Sequence, residues 1–261
     1  MPMYNVIMPF VAGKLNLQAF DKPLSREAAY WIGFLLADGC IGTKHGSAKD
    51  YYTIILALKS SDAEHVELFR HFIGTSAKVK LSAFDTNFGP AQMATITIGG
   101  QSLIGKLAEY GIVPRKTCIN HGAPSELKLD RDFWRGLIDG DGCISMVKNS
   151  GRFYPAISFG GVRLLVEDFA DVVLQVTGFR PRIGTCRSIF DTGLNGRRAQ
   201  ALIKWLYSEA PVALERKRRI AERCLQWTSK HAFTSTAALI PEYCPPSPST
   251  ALPQSSDSPP D

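Results

Sequence analysis

Nowhere in the 261 residues does an apolar run approach the roughly 18–20 residues a membrane-spanning helix requires, so no such helix is expected. Cysteine is sparse and scattered: Cys40, Cys118, Cys143, Cys186, Cys224 and Cys244 form no C-x-x-C pair. That excludes a disulfide framework or a zinc ribbon and makes a reducing compartment, cytoplasmic or other, the default. His45, His65, His71, His121 and His231 lack zinc-ligand spacing, and no G-x-x-x-x-G-K-[ST] loop exists to cradle a nucleotide. The first fourteen residues lack a basic stretch leading into a long apolar one, so no secretory signal and no secretion are expected.

What is present begins with charge. Thirty Lys and Arg face 24 Asp and Glu, a formal net charge of +6. Residues 121–231 hold 18 basic and 12 acidic residues, and residues 1–120 hold 12 and 9. Residues 232–261 carry only Glu242, Asp257 and Asp261, among seven prolines and six serines. Such a segment cannot bury enough apolar surface to offset its ordering entropy, which predicts a disordered tail. The remaining body is more basic than the whole and suggests a polyanionic partner, most often nucleic acid.

The body repeats itself. Residues 31–41 (WIGFLLADGCI) align with residues 134–144 (WRGLIDGDGCI), identical at six of eleven positions. Around each copy the periodicities agree. A helix ends near Ala37, followed by strand-like runs at 40–43 and 52–58. Apolar residues at helical spacing over 62–73, alternation over 78–84 and 93–98, and a helix over 103–110 complete the first copy. The second offers helix 130–139, strands 143–147 and 154–159, helix 164–176, strands 181–187 and 190–194, helix 199–209 and a basic helix 212–226. The expectation is an α+β fold of two tandem αββαββα repeats with antiparallel sheets. The expected divisions are an N-terminal extension (1–23), a first repeat (24–120), a second repeat (121–231) and the tail.

Each motif helix carries small residues four apart, Gly33 and Ala37 in one and Gly136 and Gly140 in the other. Small residues on one face let two helices approach closely, and the natural partner of the first helix is its own copy. Such a contact brings Asp38 and Asp141 together at two helix C-termini, whose carbonyls carry partial negative charge. Two carboxylates with the neighbouring main-chain oxygens, those of Gly39 and Gly142 included, suit a hard divalent cation such as Mg²⁺ or Mn²⁺.

Residues 134–142 (WRGLIDGDG) are similar to the LAGLIDADG signature, and residues 31–39 (WIGFLLADG) are a more diverged copy. The sequence thus resembles the LAGLIDADG homing endonucleases and related RNA maturases over about residues 24–226. Two motifs imply the monomeric form, with a pseudo-twofold axis between paired motif helices and two sheets shaped as a saddle on double-stranded DNA. The resemblance assigns metal binding to Asp38 and Asp141, and leaves Asp139, replaced by Leu36 in the first copy, without a catalytic role. It implies a lysine near the scissile phosphates of each half: Lys116, in the segment 111–117, and Lys217, in 214–217.

The implied activity is site-specific cleavage of a long, asymmetric DNA target. An RNA maturase on intron RNA, or a cleavage-dead DNA-binding regulator, remains open on the same fold. Candidate DNA contacts are Lys44, Lys59, Lys78 and Lys80 in the first repeat. In the second they are Arg152, Arg163, Arg180, Arg182, Arg187, Arg197 and Arg198. The second repeat's thirteen arginines against three in residues 1–120 predict a half-site richer in guanine contacts under residues 121–231.

Overall fold

Residues 15–44, 51–86, 89–186 and 189–228 are described in a computed structural model. The tail, most of the N-terminal extension and Arg187 lie outside the described residues.

The first repeat runs α1 (Arg26–Ala37), β1 (Gly39–Lys44), β2 (Tyr51–Lys59), α2 (Ala63–Ile73), β3 (Lys80–Thr86), β4 (Gly89–Gly99) and α3 (Gln101–Ala108). The second runs α4 (Arg131–Gly140), β5 (Cys143–Asn149), β6 (Arg152–Gly161), α5 (Arg163–Thr177), β7 (Gly184–Cys186), β8 (Ile189–Asn195), α6 (Gly196–Tyr207) and α7 (Glu215–Leu225). The strand expected over 181–187 is shorter, beginning only at Gly184. The first repeat has no counterpart of α7: Lys116 sits instead on a 3-10 turn, Lys116–Cys118.

Helix boundaries follow from local chemistry. Ser25 caps α1 by accepting from the Ala28 N–H, and Asp130 caps α4 by accepting from Asp132 and Phe133. Gly74 and Gly178 end α2 and α5 at φ 67° and 69°, a left-handed turn that favours glycine. Because the Asp130 carboxylate satisfies two otherwise unpaired donors, Asp130→Ala is expected to cost about 1 kcal/mol. Urea unfolding measures this, and an unchanged midpoint would show that the cap contributes nothing.

Each sheet has four antiparallel strands, ordered β1-β2-β4-β3 and β5-β6-β8-β7, so the fourth strand of each repeat lies inside. Period-2 alternation sends Ile54, Leu56, Leu58, Ala94, Ile96 and Ile98 to the inner face of the first sheet. Ile157, Phe159 and Leu194 do the same in the second. Trp31 is packed among Phe34, His65, Phe69 and Phe72, and Trp134 between Phe159 and Phe169. The repeated tryptophan therefore centres an aromatic cluster in each half. The opposite sheet faces carry Thr53, Ile55, Ala57 and Lys59 with Met93, Thr95 and Thr97, and in the second half Ser145, Val147, Tyr154 and Ser158.

Candidate active site

The site grows out of the contact between α1 and α4. A Cβ on Gly33 would overlap the carbonyl oxygen of Phe133, and one on Gly136 would overlap that of Tyr30. Gly140 lies against Ala37, so the glycine of one helix leaves room for the alanine methyl of the other. Backbones this close carry the two helix ends to one place. A Cβ on Gly140 would stand 3.3 Å from Asp38 Oδ2, which sets the Asp38 carboxylate directly against the end of α4. Asp38 and Asp141 are the C-caps of α1 and α4, and each leads into the first strand of its sheet.

Both acids are exposed at the surface, with protein packed around the base of each carboxylate. Burial, followed by the neighbouring negative charge of Asp141, raises the pKa of Asp38 to about 6, against the opposing pull of Lys217, Arg216 and Lys116. Burial likewise raises Asp141, with Lys116 and Lys217 opposing. A carboxyl whose folded pKa lies above its unfolded one favours folding at low pH, and that contribution is lost as pH rises through about 6. Asp38→Asn is therefore expected to raise the melting temperature of the metal-free protein at pH 7. The gain should shrink towards pH 4, where Asp38 is protonated in the wild type. Melting curves in chelator at several pH values measure this, and a variant less stable at pH 7 than at pH 4, relative to wild type, would contradict it.

The two lysines sit beneath the acids. Lys116 Nζ donates to the carbonyls of Ala37 (3.0 Å) and Gly39 (2.6 Å). Lys217 Nζ donates to Ile138 (2.5 Å), Gly142 (2.6 Å) and, at 3.4 Å, Gly140. Both are buried, 8% and 4% exposed, and burial lowers both pKa values. Each ammonium group thus adds donors to the carbonyls gathered at and just past the end of its own motif helix. The oxygens of Gly39 and Gly142, expected to face a cation, accept from these lysines.

That leaves the two carboxylates as the site's ionised donors. Among the described residues no group of three or more His, Cys, Asp or Glu side chains is placed to hold a metal. The pair fits a Mg²⁺-like ion as part of a coordination sphere: two hard oxygen donors whose like charges are relieved by a cation. Water and a phosphate would have to supply the rest.

The expected DNA contacts divide by position. Lys59, Lys80 and Arg152 are exposed strand residues in register with the outer-face ladders, and Lys78 precedes β3 in a loop. Lys44 ends β1. The other described arginines are not on the strands. Arg163 opens α5, pairs with Glu167 and lies over Phe190. Arg180 pairs with Asp171 of α5, and Arg198 of α6 lies 3.9 Å over Phe179. Arg182 precedes β7, and Arg197 is on the first turn of α6. Of the named arginines, only Arg152 occupies an outer-face strand position among the described residues. Among the described residues the arginine excess of the second repeat falls mostly on helices and loops rather than on outer-face strand positions.

Sequence reading passed over a buried polar network. Asp139, fully buried, accepts from Tyr207 Oη (2.6 Å), Tyr30 Oη (2.8 Å) and the Leu214 N–H (2.7 Å). Tyr30 Oη also meets His65 Nε2 at 2.9 Å, and burial drives that imidazole's pKa down to about 3. Arg135 pairs with Asp132, which takes two hydrogen bonds from Arg26 of the first repeat, and Arg216 pairs with Asp62 across the halves. The available signal was the repeat alignment, where Ile32 and Leu36 face Arg135 and Asp139.

No protein-family model matches the chain, and no curated protein matches it. Solved structures do. The chain is similar to the LAGLIDADG meganuclease I-AabMI bound to uncleaved DNA, with TM-score 0.50 and 13% identity over 75% of this chain and 88% of that one. It is similar to the LAGLIDADG homing endonuclease I-LtrWI bound to target DNA, with TM-score 0.52 and 12% identity over 77% and 90%. It is also similar to the LAGLIDADG homing endonuclease I-SmaMI bound to cleaved DNA, with TM-score 0.52 and 13% identity over 82% and 89%. Tandem halves, each with a four-stranded antiparallel sheet, paired through their motif helices, give this chain the α+β fold of the LAGLIDADG homing endonucleases.

Proposed function

We propose that the protein is a site-specific endonuclease of double-stranded DNA, acting as a monomer whose two repeats (24–120 and 121–231) each take one half of an asymmetric target. The observation that carries this is the juxtaposition of Asp38 and Asp141 at two packed helix ends, each leading into its own sheet. A binding protein has no need of two mutually repelling carboxylates facing phosphate, which favours cleavage over a maturase or a purely regulatory role.

Asp38 and Asp141 would hold the divalent cation, which when bound would supply Lewis-acid polarisation and a lowered water pKa. The chain's own residues do the rest. The outer sheet faces read base edges in the major groove, with Lys59, Lys80 and Arg152 on phosphates setting register. Lys78, Arg163, Arg180, Arg182, Arg197 and Arg198, on loops and helix starts, would add sequence-independent affinity. Lys116 and Lys217 hold the acid-bearing helix ends rigid and place two positive charges close behind the reacting phosphates. Thiols outside any disulfide at Cys40, Cys118 and Cys224 suit a reducing, DNA-containing compartment, and no described helix is long and apolar enough to cross a membrane.

Incubation with a randomised plasmid library, with and without Mg²⁺ or Mn²⁺, tests the reading. Metal-dependent linearisation at one recurring sequence is expected. Retention of DNA without cutting under any divalent ion, or preference for folded RNA, would overturn it.

A further inference from the structure

The geometry points to Asp139 as the positioning residue for Lys217, so that the two halves hold their lysines by different physical means. Its consequence for cleavage rests on the endonuclease reading, and its structural content does not. Arg135 and Asp139 lie four residues apart on α4, on one face. Arg135 donates to the carbonyls of Val212 (2.7 Å) and Leu206 (3.1 Å), and Asp139 accepts from Tyr207 and from the Leu214 N–H. That face of the motif helix is thereby stitched to the connection between α6 and α7. Leu214 is the residue before α7, and its carbonyl takes the first-turn N–H groups of Lys217 and Arg218, both at 2.9 Å. Fixing the Leu214 amide fixes that turn and so the point from which Lys217 reaches back to Ile138 and Gly142. The ring closes on α4 itself.

The first repeat does the same task without a carboxylate. Leu36 stands in the place of Asp139 beside Gly111, and the connection is held by burial of Tyr110 and Ile112. Lys116 then follows Arg115, a left-handed residue at φ 57°, onto a short 3-10 turn. A buried carboxylate is costly unless fully satisfied, and an apolar residue suffices in the other copy. What leucine cannot supply is a directed acceptor for a main-chain N–H, the bond Asp139 makes. Tyr30 and His65 join the same carboxylate to the first repeat, so the anchor also spans the two halves.

The test compares Asp139→Leu, which installs the first copy's residue, with Asp139→Asn, which keeps the shape and one acceptor, in the full chain. Backbone amide exchange over residues 212–219 should quicken about tenfold or more in Asp139→Leu and less in Asp139→Asn, with residues 112–118 unchanged. On a supercoiled plasmid bearing the target, Asp139→Leu should build up nicked circle, and the strand left intact should be the one left intact by Lys217→Met. Target affinity in chelator should stay within about threefold, because the carboxylate faces the interior rather than DNA. Equal loosening of both segments, proportional slowing of both strands, or a nick in the other strand would each overturn the proposal, in Asp139→Asn alone if the leucine variant does not fold. A wild-type chain that cuts no DNA would sink the endonuclease reading instead, and amide exchange would then decide the positioning by itself.

Discussion

With Asp38→Asn and Asp141→Asn combined, cleavage is expected to fall by on the order of 10³-fold or more, equivalent to at least about 4 kcal/mol of transition-state stabilisation. Target binding should remain within about tenfold, because carboxylates that hold a cation contribute to the phosphate chemistry and not to base reading. The separation of the two effects is the informative part. Asparagine keeps the shape and one acceptor oxygen but removes the charge that attracts a divalent ion, and with it the desolvation of a carboxylate and the like-charge repulsion that together raise Asp38. The double variant should therefore fold at least as well as the wild type while failing to cut. Single-turnover cleavage and gel-shift titration on the same target measure both quantities. Cutting at the wild-type rate would end the assignment of the acids.

The second large effect is on folding. Gly136→Val places a side chain where the carbonyl of Tyr30 already stands, with Phe34 N only 2.7 Å from the new Cβ. Helix propensity argues the other way, since replacing a helical glycine by alanine ordinarily gains about 1 kcal/mol. Here the obstacle is main chain, which cannot rotate aside as a side chain can. The helices must separate, and the separation reaches every residue between the two halves. A net loss of about 3–5 kcal/mol is expected, beyond the usual range for overpacking. Gly105→Ala on α3 is the internal control: nothing lies within 4 Å of its new Cβ, so a gain of about 0.5–1 kcal/mol is expected. Urea unfolding compares the two. A neutral Gly136→Val would show that the helix pair has slack the close approach does not suggest.

The repeat, the order of elements and the small-residue faces were legible because they depend on local spacing. A helix that packs backbone to backbone must show small residues four apart, and a strand with one buried face must alternate. The acids were legible for the same reason, since each sits at a fixed offset from such a face. The strand expected over 181–187 begins only at Gly184, because Pro181 and Arg182 carry no alternation to distinguish a strand from a loop.

What the sequence by itself determined is a doubled α+β unit whose motif helices can approach closely and end in paired carboxylates, because period and side-chain size act over a few residues. Only the tertiary structure decided where the buried charges go. Lys116 and Lys217 find carbonyls 79 or fewer residues away, and Asp139 meets Tyr30, Tyr207 and Leu214 from three different segments. A lysine on a basic helix and a lysine capping a buried helix end have the same sequence neighbourhood. They differ in desolvation and in which unpaired carbonyls lie within reach, and both are set by how the two halves fold around each other.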